Sequence, residues 1–435
     1  MNRKRPLERV VSLGLAFASS ALLGACGEDP APWLRQFGTP SSDEAHSIAV
    51  DERGNAWVVG VTHGTLPKQA GAGGGDAFVR KYNAQGKELW TRQFGTSSLD
   101  EALAVAVDRW GNAWVAGVTY RTFPHQVSAG GKEAFVRRYN PQGRELWTRR
   151  FGSGELDGVT ALAVNAEGNV WVAGDAVRGS GTESLAPSGQ SRGKSFVHKY
   201  DSNGNLLWTR ELELHRRAGA LAADEEGNVW VVGSIQESLP GQSVASAGRS
   251  PRAGGFVRKY DPEGNQLWLR QFSGGRGDGA FSIAPAVRST FAVGEMGIWI
   301  AGFIQEAPTG QAGEYSVLVQ QYDAYGNQLW NRQFPGKQRE RVLAIAVDGS
   351  GNIWVAGHTQ GTPAGQLPSD AFVRLYDVNG NELWSHQFGT PDFEWIRSLA
   401  SDKGGNLWVA GVTWGAFPDQ PRAGMKDVLV LKYAR

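Results

Sequence analysis

Acidic side chains recur at one position of a repeating sequence, at intervals of 54 to 62 residues. The set comprises Asp43, Asp100, Asp157, Asp278, Glu340 and Glu394, and Arg216 stands at this position in one further copy. Two carboxylates about 10 Å apart repel by roughly 0.4 kcal/mol in water, and by about four times that at an effective dielectric of 20. If these side chains formed a crowded ring at the mouth of a central channel, that ring would favour a bound cation, with calcium as the candidate cofactor, or a basic partner. The alternative is that each carboxylate bonds to backbone NH groups of its own loop, because repeated residues commonly serve the repeated structure.

Three tryptophans depart from the repeat. Trp110 falls in a short turn, Trp395 in the loop PDFEWIRS and Trp414 in the loop VTWGAF, and Phe393 and Phe417 stand close to the last two. Aromatic side chains exposed together can stack on a sugar ring or anchor a protein partner. We therefore take Phe393, Trp395, Trp414 and Phe417 as candidate ligand-binding residues. The alternative is local packing beneath longer loops.

The sequence carries no recognisable catalytic set. Its 7 histidines show no paired spacing suited to a metal, and Cys26 is the only cysteine. The turns DERGN, DEEGN, DSNGN and DPEGN lack the alternating acids and distal Glu of a calcium loop, so they favour plain hairpins. These features favour a non-enzymatic role with no assigned catalytic residue. An enzyme site assembled from distant parts of the chain would leave no local motif.

The candidate residues are positioned by a unit of four short strands, which we name A to D. In the copy that starts at Trp90 these are LAVAV from Leu103, NAWVAG from Asn112, AFVRRY from Ala134 and ELWTRRF from Glu145. The A to B and C to D joints, DRWGN and NPQGR, have the composition of tight hairpin turns. Fourteen of the 17 tryptophans occupy two repeat positions, on strands B and D, which predicts that they are core residues.

Seven copies of a four-stranded antiparallel unit predict an all-β, seven-bladed β-propeller. A solenoid would need polar capping repeats, yet the last copy is as apolar as the first. The last copy ends on a C strand, VLVLKYAR, and PWLRQFG near the start is a D strand without its own blade. We therefore expect the N-terminal strand to complete the seventh sheet and close the ring.

The segments GNAWVAGVT, DAFVRKYN and ELWTRQFGT, in this order and spacing, resemble the bacterial seven-bladed β-propeller repeat family over about residues 32–435. The resemblance implies the propeller fold and an extracytoplasmic setting. It implies no activity, because one fold carries many functions.

The first 25 residues have the pattern of an export signal, with Arg3, Lys4, Arg5 and Arg9 ahead of an apolar run. The run ends in LGAC, which resembles a lipoprotein lipobox with Cys26 as the acylated residue. We thus divide the chain into a signal peptide at 1–25, a lipidated Cys and tether at 26–32, and a propeller at 33–435. Gly27 after the cysteine implies sorting to the outer membrane or cell surface. An ordinary signal peptide that happens to hold a cysteine is the alternative.

Removal of the signal would leave a net charge of −2, which argues against a nucleic-acid partner. Strand alternation puts the A to B and C to D turns on one face, named the turn face, and the longer B to C and D to A loops on the opposite loop face. The closing strand enters from the turn face, and GEDPAP can span at most about 20 Å. A lipid-anchored chain would thus direct its loop face away from the membrane.

These patterns predict a monomeric, exported lipoprotein that acts as a binding module through its loop face, with a protein or carbohydrate ligand. One alternative is a propeller lyase or hydrolase acting on polysaccharide or cell-wall material. Another is a structural component of the envelope.

Overall fold

The computed structural model describes residues 32–123, 131–151, 156–177, 193–212, 216–235, 254–272, 279–285, 297–305, 315–335, 340–348, 352–359, 369–377 and 379–434. The export signal, Cys26 and Asp278 lie outside these residues. No helix among the described residues is long and apolar enough to cross a membrane.

The described chain forms 28 strands. The first is β1 (Trp33–Phe37). Blade 1 consists of β2 (Asp43–Val50), β3 (Ala56–Thr62), β4 (Asp76–Tyr82) and β5 (Glu88–Phe94). Blade 2 consists of β6 (Asp100–Val107), β7 (Ala113–Thr119), β8 (Glu133–Tyr139) and β9 (Glu145–Phe151). Blade 3 consists of β10 (Leu156–Val164), β11 (Val170–Val177), β12 (Gly193–Tyr200) and β13 (Leu206–Leu212).

The later blades repeat this order. Blade 4 consists of β14 (Arg216–Ala223), β15 (Val229–Ile235), β16 (Gly254–Tyr260) and β17 (Gln266–Phe272). Blade 5 consists of β18 (Gly279–Pro285), β19 (Ile298–Gln305), β20 (Tyr315–Tyr322) and β21 (Gln328–Pro335). Blade 6 consists of β22 (Glu340–Val347), β23 (Ile353–Thr359), β24 (Ala371–Tyr376) and β25 (Glu382–Phe388). Blade 7 contains β26 (Glu394–Ser401), β27 (Leu407–Thr413) and β28 (Asp427–Tyr433).

Seven four-stranded antiparallel sheets confirm the predicted all-β, seven-bladed propeller. The seventh sheet has the order β1-β28-β27-β26, and β1 runs in register from Trp33 opposite Lys432 to Phe37 opposite Val428. The first strand therefore closes the ring by pairing with the last, as the sequence predicts. The A strands contact one another in turn, and β26 contacts β2, so they line the central axis.

The A strands begin earlier than the sequence suggested. Strand β6 starts at Asp100 rather than Leu103, because Asp100 already pairs with Thr119 of β7. A bulge between Ala102 and Ala104 follows, and the same bulge recurs in the A strand of every blade. The acidic repeat position is thus the first or second residue of strand A in the described copies, not part of the preceding loop.

The tight A to B turns form as predicted. The Asp51 carboxylate accepts a hydrogen bond from the backbone N–H of Asn55. The Asp51 backbone carbonyl accepts a second hydrogen bond, from the Gly54 N–H, at 2.9 Å. The Asn55 side-chain amide donates to the second carboxylate oxygen of Asp51 at 2.7 Å. This carboxylate therefore ties the turn together, and turns of this kind need no calcium ion to do so.

Buried residues form seven clusters, each between two neighbouring blades. The B-strand tryptophans are their largest members, and Trp57, Trp114, Trp171 and Trp408 are fully buried. Six of the seven D-strand tryptophans are less buried than predicted: Trp90 and Trp147, for example, keep part of their surface exposed, whereas Trp268 is buried. They lie on the outermost strand, where the Trp90 Nε1 donates to Pro141 O in the C to D turn of the next blade. Through such hydrogen bonds they connect neighbouring blades at the outer edge of the propeller.

Candidate binding site on the loop face

The acidic repeat position bonds to its own loop wherever its side chain is described. Asp43 Oδ2 accepts from Thr39 N at 2.6 Å and from Thr39 Oγ1 at 3.0 Å. Asp100 Oδ2 accepts from both groups of Thr96 at 2.6 and 2.8 Å. Glu394 accepts from both groups of Thr390 at 2.8 and 2.7 Å. For these three carboxylates, the alternative that each one bonds to groups of its own loop is therefore the one that the structure shows.

Each of these carboxylates also has an acidic neighbour from the preceding blade. A Cβ placed on Gly38 would lie 2.6 Å from Asp427 Oδ1 and 2.7 Å from Asp43 Oδ2. The two oxygens therefore lie within about 5.3 Å of each other, and only glycine leaves room for both. Burial raises the pKa of Asp43, and the neighbouring Asp427 raises it further against the opposing hydrogen bonds from Thr62 and Thr39.

The structure describes no side chain at the remaining acidic repeat positions. Asp157 and Glu340 are described by their backbone alone, at the A strands of blades 3 and 6. Among the described residues, no group of three or more His, Cys, Asp or Glu is arranged to hold a metal ion. Calcium binding by the acidic ring stays a prediction.

Three of the four candidate aromatic residues form one cluster on the loop face. The Trp395 and Trp414 rings meet edge to face with centroids 5.1 Å apart, and Phe393 meets Trp414 in the same way at 6.2 Å. The Trp414 N–H donates to Phe393 O at 3.0 Å, which locks the two loops together. Phe393 is 41% exposed and both tryptophans are partly exposed. We call Phe393, Trp395 and Trp414 the aromatic cluster.

Two cations border the aromatic cluster. Arg397 Cζ lies 5.4 Å from the Trp395 ring centroid, and Lys426 Nζ lies 5.0 Å from the Trp414 ring centroid. Both are anchored by Glu44 of blade 1, at 3.6 Å from Arg397 and 2.6 Å from Lys426. The site therefore presents aromatic rings beside two positive charges and one partly buried negative charge.

The electrostatics of this border favour an anionic ligand. Burial opposes ionisation of Glu44, but its hydrogen bond from Lys426 and the nearby positive charges outweigh burial and lower the pKa of that carboxyl. Burial also lowers the pKa of His46, assisted by Arg397, although Glu101 and Glu44 oppose the shift. Near neutral pH, His46 is uncharged, so the Arg397, Lys426 and Glu44 group carries a net charge of about +1.

Phe417 and Trp110 lie apart from the cluster. Phe417 is 8% exposed and packs against Phe388 with centroids 6.3 Å apart, in the interior beneath the loop. It occupies the repeat position of the buried Leu66 and Phe123, which explains its burial. Trp110 is 49% exposed on the turn face, so it cannot contribute to a site on the loop face.

A family model described as "Beta-propeller repeat" (SBBP) matches residues 33–67, which span β1, β2 and β3. Within the seven-bladed propeller, this match covers the closing strand and the first two strands of blade 1. The chain is 26% identical over 315 residues to the regulatory protein FlaEY of Caulobacter vibrioides, covering 63% of this chain and 31% of that protein. It is 20% identical to the uncharacterized WD repeat-containing protein L264 of Acanthamoeba polyphaga mimivirus, covering 84% and 33%. The chain thus spans about a third of the length of these curated relatives.

Solved structures resemble this chain in outline. The β-propeller domain of the Trilobed protease of Pyrococcus furiosus matches with a TM-score of 0.46 and 7% identity, over 90% of this chain and 95% of that one. A Bacteroides caccae protein of unknown function matches with a TM-score of 0.41 and 14% identity, over 80% and 94%. The propeller fold is compatible with a binding module and with an enzyme.

Sequence reasoning missed the charged half of the site. Arg397 stands where blades 1 and 2 carry His46 and Leu103, so aligning the copies would have marked this position of blade 7 as unusual. Lys426 has a counterpart in Lys132 of blade 2, which lies 5.5 Å from the centroid of the Tyr120 ring. The contact of Arg397 and Lys426 with the tryptophans could not be read from the alignment, because Glu44, which holds both, comes from a blade at the other end of the chain.

Proposed function

We propose that the chain is an exported, lipid-anchored binding module whose loop face recognises a ligand through the aromatic cluster. The observation that carries this proposal is that Phe393, Trp395 and Trp414 contact one another while remaining partly exposed. The B-strand tryptophans of the repeat are buried, and the D-strand tryptophans join neighbouring blades, whereas these three residues are absent from the repeat consensus. Exposed, mutually supporting rings are typical of recognition surfaces.

We propose a saccharide that bears an anionic group as the ligand. Phe393 and Trp414 offer apolar ring surface for stacking on a sugar, whereas the Trp395 ring is itself stacked on His358 with centroids 5.6 Å apart. Arg397 and Lys426 lie close enough to the cluster to receive a carboxylate or sulfate substituent. Both cations share Glu44, so their net attraction for an anion is moderate rather than strong. A flat, acidic protein segment offers related chemistry, and failure of every acidic glycan to bind in the screen would favour that alternative.

The screen uses a glycan array with a chain that begins at residue 27. The unit Pro32–Arg435 contains all 28 strands, so this chain retains the complete fold. We expect acidic glycans to bind, and Trp395→Ala and Trp414→Ala each to lower affinity about thirtyfold, the effect of a loss of about 2 kcal/mol. Trp110→Ala is the control, because it removes an exposed tryptophan from the opposite face.

Three outcomes of the screen test the binding site, the ligand class and the enzyme alternative. Equal losses from Trp110→Ala and Trp395→Ala would overturn the aromatic cluster as the binding site. Binding that survives Arg397→Gln for neutral glycans but not for acidic ones would support the anionic ligand. Turnover of a bound polysaccharide would favour the alternative of a lyase or hydrolase.

We propose Cys26 as the lipid attachment residue, which lies outside the described residues. Two or three acyl chains, at about 0.8 kcal/mol per buried CH₂, would hold the protein on a bilayer essentially permanently. Cys26→Ser should move the protein from the membrane fraction to the soluble fraction, and mass spectrometry should detect the acyl mass only on the unaltered chain. Equal membrane association of both forms would refute the anchor without bearing on the loop-face site.

A further inference from the structure

A cavity of about 570 Å³ lies at the opposite end of the molecule, on the turn face. It is lined by the A to B turns of blades 1 to 4 and by residues of blades 5 and 7. Because the A strands surround the axis, a cavity shared by so many blades is the mouth of the central channel. It is separate from the aromatic cluster on the loop face.

The inner wall of the cavity is apolar. It is formed by Val50, Val107, Val164 and Ala223, the last residues of four successive A strands. The turn aspartates of blades 1, 2 and 4 come next, and each is bound by the side-chain amide of its turn asparagine at 2.7 to 2.8 Å. These aspartates serve their turns, so the channel mouth begins with an apolar collar suited to an aliphatic stem.

The outer rim keeps unneutralised negative charge. Glu52 forms a 2.8 Å ion pair with Lys403, and Arg109 lies over the Trp110 ring at 4.5 Å, so both cations of the cavity lining are engaged. Glu225 and Glu226 are exposed and form no ion pair within 4.0 Å among the described residues. Glu226 also interacts electrostatically with Lys259, which lies over the Trp230 ring at 4.6 Å. Because neither Glu225 nor Glu226 is held in an ion pair within the described part of the chain, both carboxylates can accept a cationic ligand.

Blade 3 presents a buried donor to the same cavity. Its turn has Asn165 where blades 1, 2 and 4 have aspartate, and Asn169 donates to Glu167 instead, at 3.0 Å. The Asn165 Nδ2 is left buried without a hydrogen-bond partner, and Asn165 is 4% exposed. The indole Nε1 of Trp230, which also lines the cavity, lacks a partner too. Five other B-strand tryptophans share this condition, so it belongs to the repeat and does not point to a ligand: Trp57, Trp114, Trp171, Trp354 and Trp408. A buried donor that lacks a partner costs about 1 to 3 kcal/mol, so an acceptor from a ligand or water is favoured at Asn165.

We propose that this channel mouth binds a primary amine carried on an aliphatic stem that also bears a carbonyl group. The amine would pair with Glu225 and Glu226, the stem would lie along the apolar collar, and the carbonyl would accept from Asn165 Nδ2. A lysine-like compound has this arrangement. A free carboxylate is disfavoured, because the rim is already negative. This site is independent of the proposed loop-face function.

The test measures binding of Nα-acetyl-lysinamide by calorimetry or saturation-transfer NMR, with the chain that begins at residue 27. Nα-acetyl-norleucinamide is the matched ligand, since it lacks only the amine. We expect the lysine compound to bind at millimolar concentration and the norleucine compound to bind at least threefold more weakly. Glu225→Gln with Glu226→Gln should lower affinity for the lysine compound about threefold to thirtyfold, the effect expected from two partly exposed ion pairs.

Two further variants separate charge from hydrogen bonding. Glu263→Gln, in the exposed C to D turn of the same blade, removes an acid outside the cavity and should leave affinity unchanged. Asn165→Asp restores the residue of the neighbouring turns and removes the donor. It should lower the affinity for Nα-acetyl-lysinamide relative to that for n-butylamine, which has no carbonyl.

The proposal is overturned if the lysine compound does not bind, if both compounds bind equally, or if Glu263→Gln weakens binding as much as the double variant does. Thermal unfolding of each variant provides the check on folding, because all four substituted residues lie in turns. If Asn165→Asp leaves the ratio of the affinities for Nα-acetyl-lysinamide and n-butylamine unchanged, the proposed contact between Asn165 and the ligand carbonyl is refuted.

Discussion

Gln36 and Asp427 join the two ends of the ring: the Gln36 side-chain amide donates a 2.7 Å hydrogen bond to Asp427 Oδ2 across 391 positions of sequence. The same amide donates to Gly415 O at 2.8 Å, and its oxygen accepts from Phe417 N at 3.1 Å. In blade 1, Gln93 makes the equivalent bonds to Asp76, Gly64 and Leu66. The closing strand therefore also holds the loop that carries Trp414, so ring closure and the candidate binding site depend on the same residue.

Gln36→Ala should lower the free energy of unfolding by about 2 to 3 kcal/mol, because it leaves buried donors and acceptors without partners. Gln36 is 6% exposed. The control is Gln387→Ala, whose exposed side chain makes the matching 2.7 Å bond to Asp370 in blade 6 and should cost less than about 1 kcal/mol. Urea unfolding of the chain that begins at residue 27 measures both. Equal losses would show that closure does not depend on the buried bond.

Gly143→Ala should destabilise the propeller more than Gly111→Ala. Both glycines have a positive φ, +77° and +79°, so each alanine carries a backbone cost of about 1 to 2 kcal/mol. A Cβ at Gly143 would also lie 2.7 Å from the Trp90 ring, whereas at Gly111 its nearest atom would be 3.6 Å away. We expect an additional loss of about 1 to 3 kcal/mol from this overpacking. Indistinguishable urea midpoints would mean that Trp90 can move aside without cost.

The stability contributions of Asp100 and Asp261 should depend on pH in opposite directions. Burial raises the pKa of Asp100, and Asp76 adds to the shift against hydrogen bonds from Thr119 and Thr96. A raised folded pKa means that the contribution is fully present below the unfolded value of 3.8 and is lost as pH rises through the folded pKa. At pH 7, Asp100→Asn should therefore be less destabilising, relative to the unaltered chain, than at pH 3.5.

Asp261 provides the contrast. Its slight burial opposes ionisation, but hydrogen bonds from Asn265 and the rest of its turn lower its pKa. Its contribution is present above 3.8 and disappears as pH falls through the folded pKa, so Asp261→Asn should be destabilising at pH 7 and neutral in acid. Urea unfolding of each variant at pH 3.5 and pH 7 gives the two differences. If both variants lose stability with the same pH dependence, the opposite pKa shifts of Asp100 and Asp261 are contradicted.

Calcium should leave the melting temperature unchanged if the acidic ring serves only its loops. The described carboxylates at Asp43, Asp100 and Glu394 already accept NH and hydroxyl bonds, which direct positive charge at them. Calorimetric melting with and without calcium provides the measurement. A calcium-dependent increase that disappears when Asp43, Asp100 and Asp157 are all replaced by Asn would instead support the cation hypothesis.

Trp395→Ala and Trp414→Ala should destabilise the fold less than Trp354→Ala. Trp354 is 5% exposed within the cluster between blades 6 and 7, so its truncation should cost about 3 to 5 kcal/mol. The two loop-face tryptophans are partly exposed and bury less surface. Thermal unfolding of the three variants measures this directly. If all three lose the same stability, the aromatic cluster is packing rather than a recognition surface.

The sequence by itself determined the repeat, the strands and the closure of the ring. These follow from local information: alternating apolar residues, glycine at turn positions that require positive φ, and tryptophan at two fixed places in each copy. The alignment of copies also placed Asp43, Asp100 and Glu394 at one structural position. Even the error over Phe417 could have been avoided, because the aligned Leu66 and Phe123 mark that position as core.

Only the tertiary structure decided which side chains meet across blades. Asp43 approaches Asp427, and Glu44 holds Arg397 and Lys426, because ring closure brings the first blade beside the seventh. Likewise, the unpartnered Nδ2 of Asn165 has chemical meaning only because four turns converge on one cavity. Local sequence specifies strands and turns through short-range sterics and hydrogen bonds. The distances between side chains far apart in sequence are set by the packing of seven sheets around a common axis.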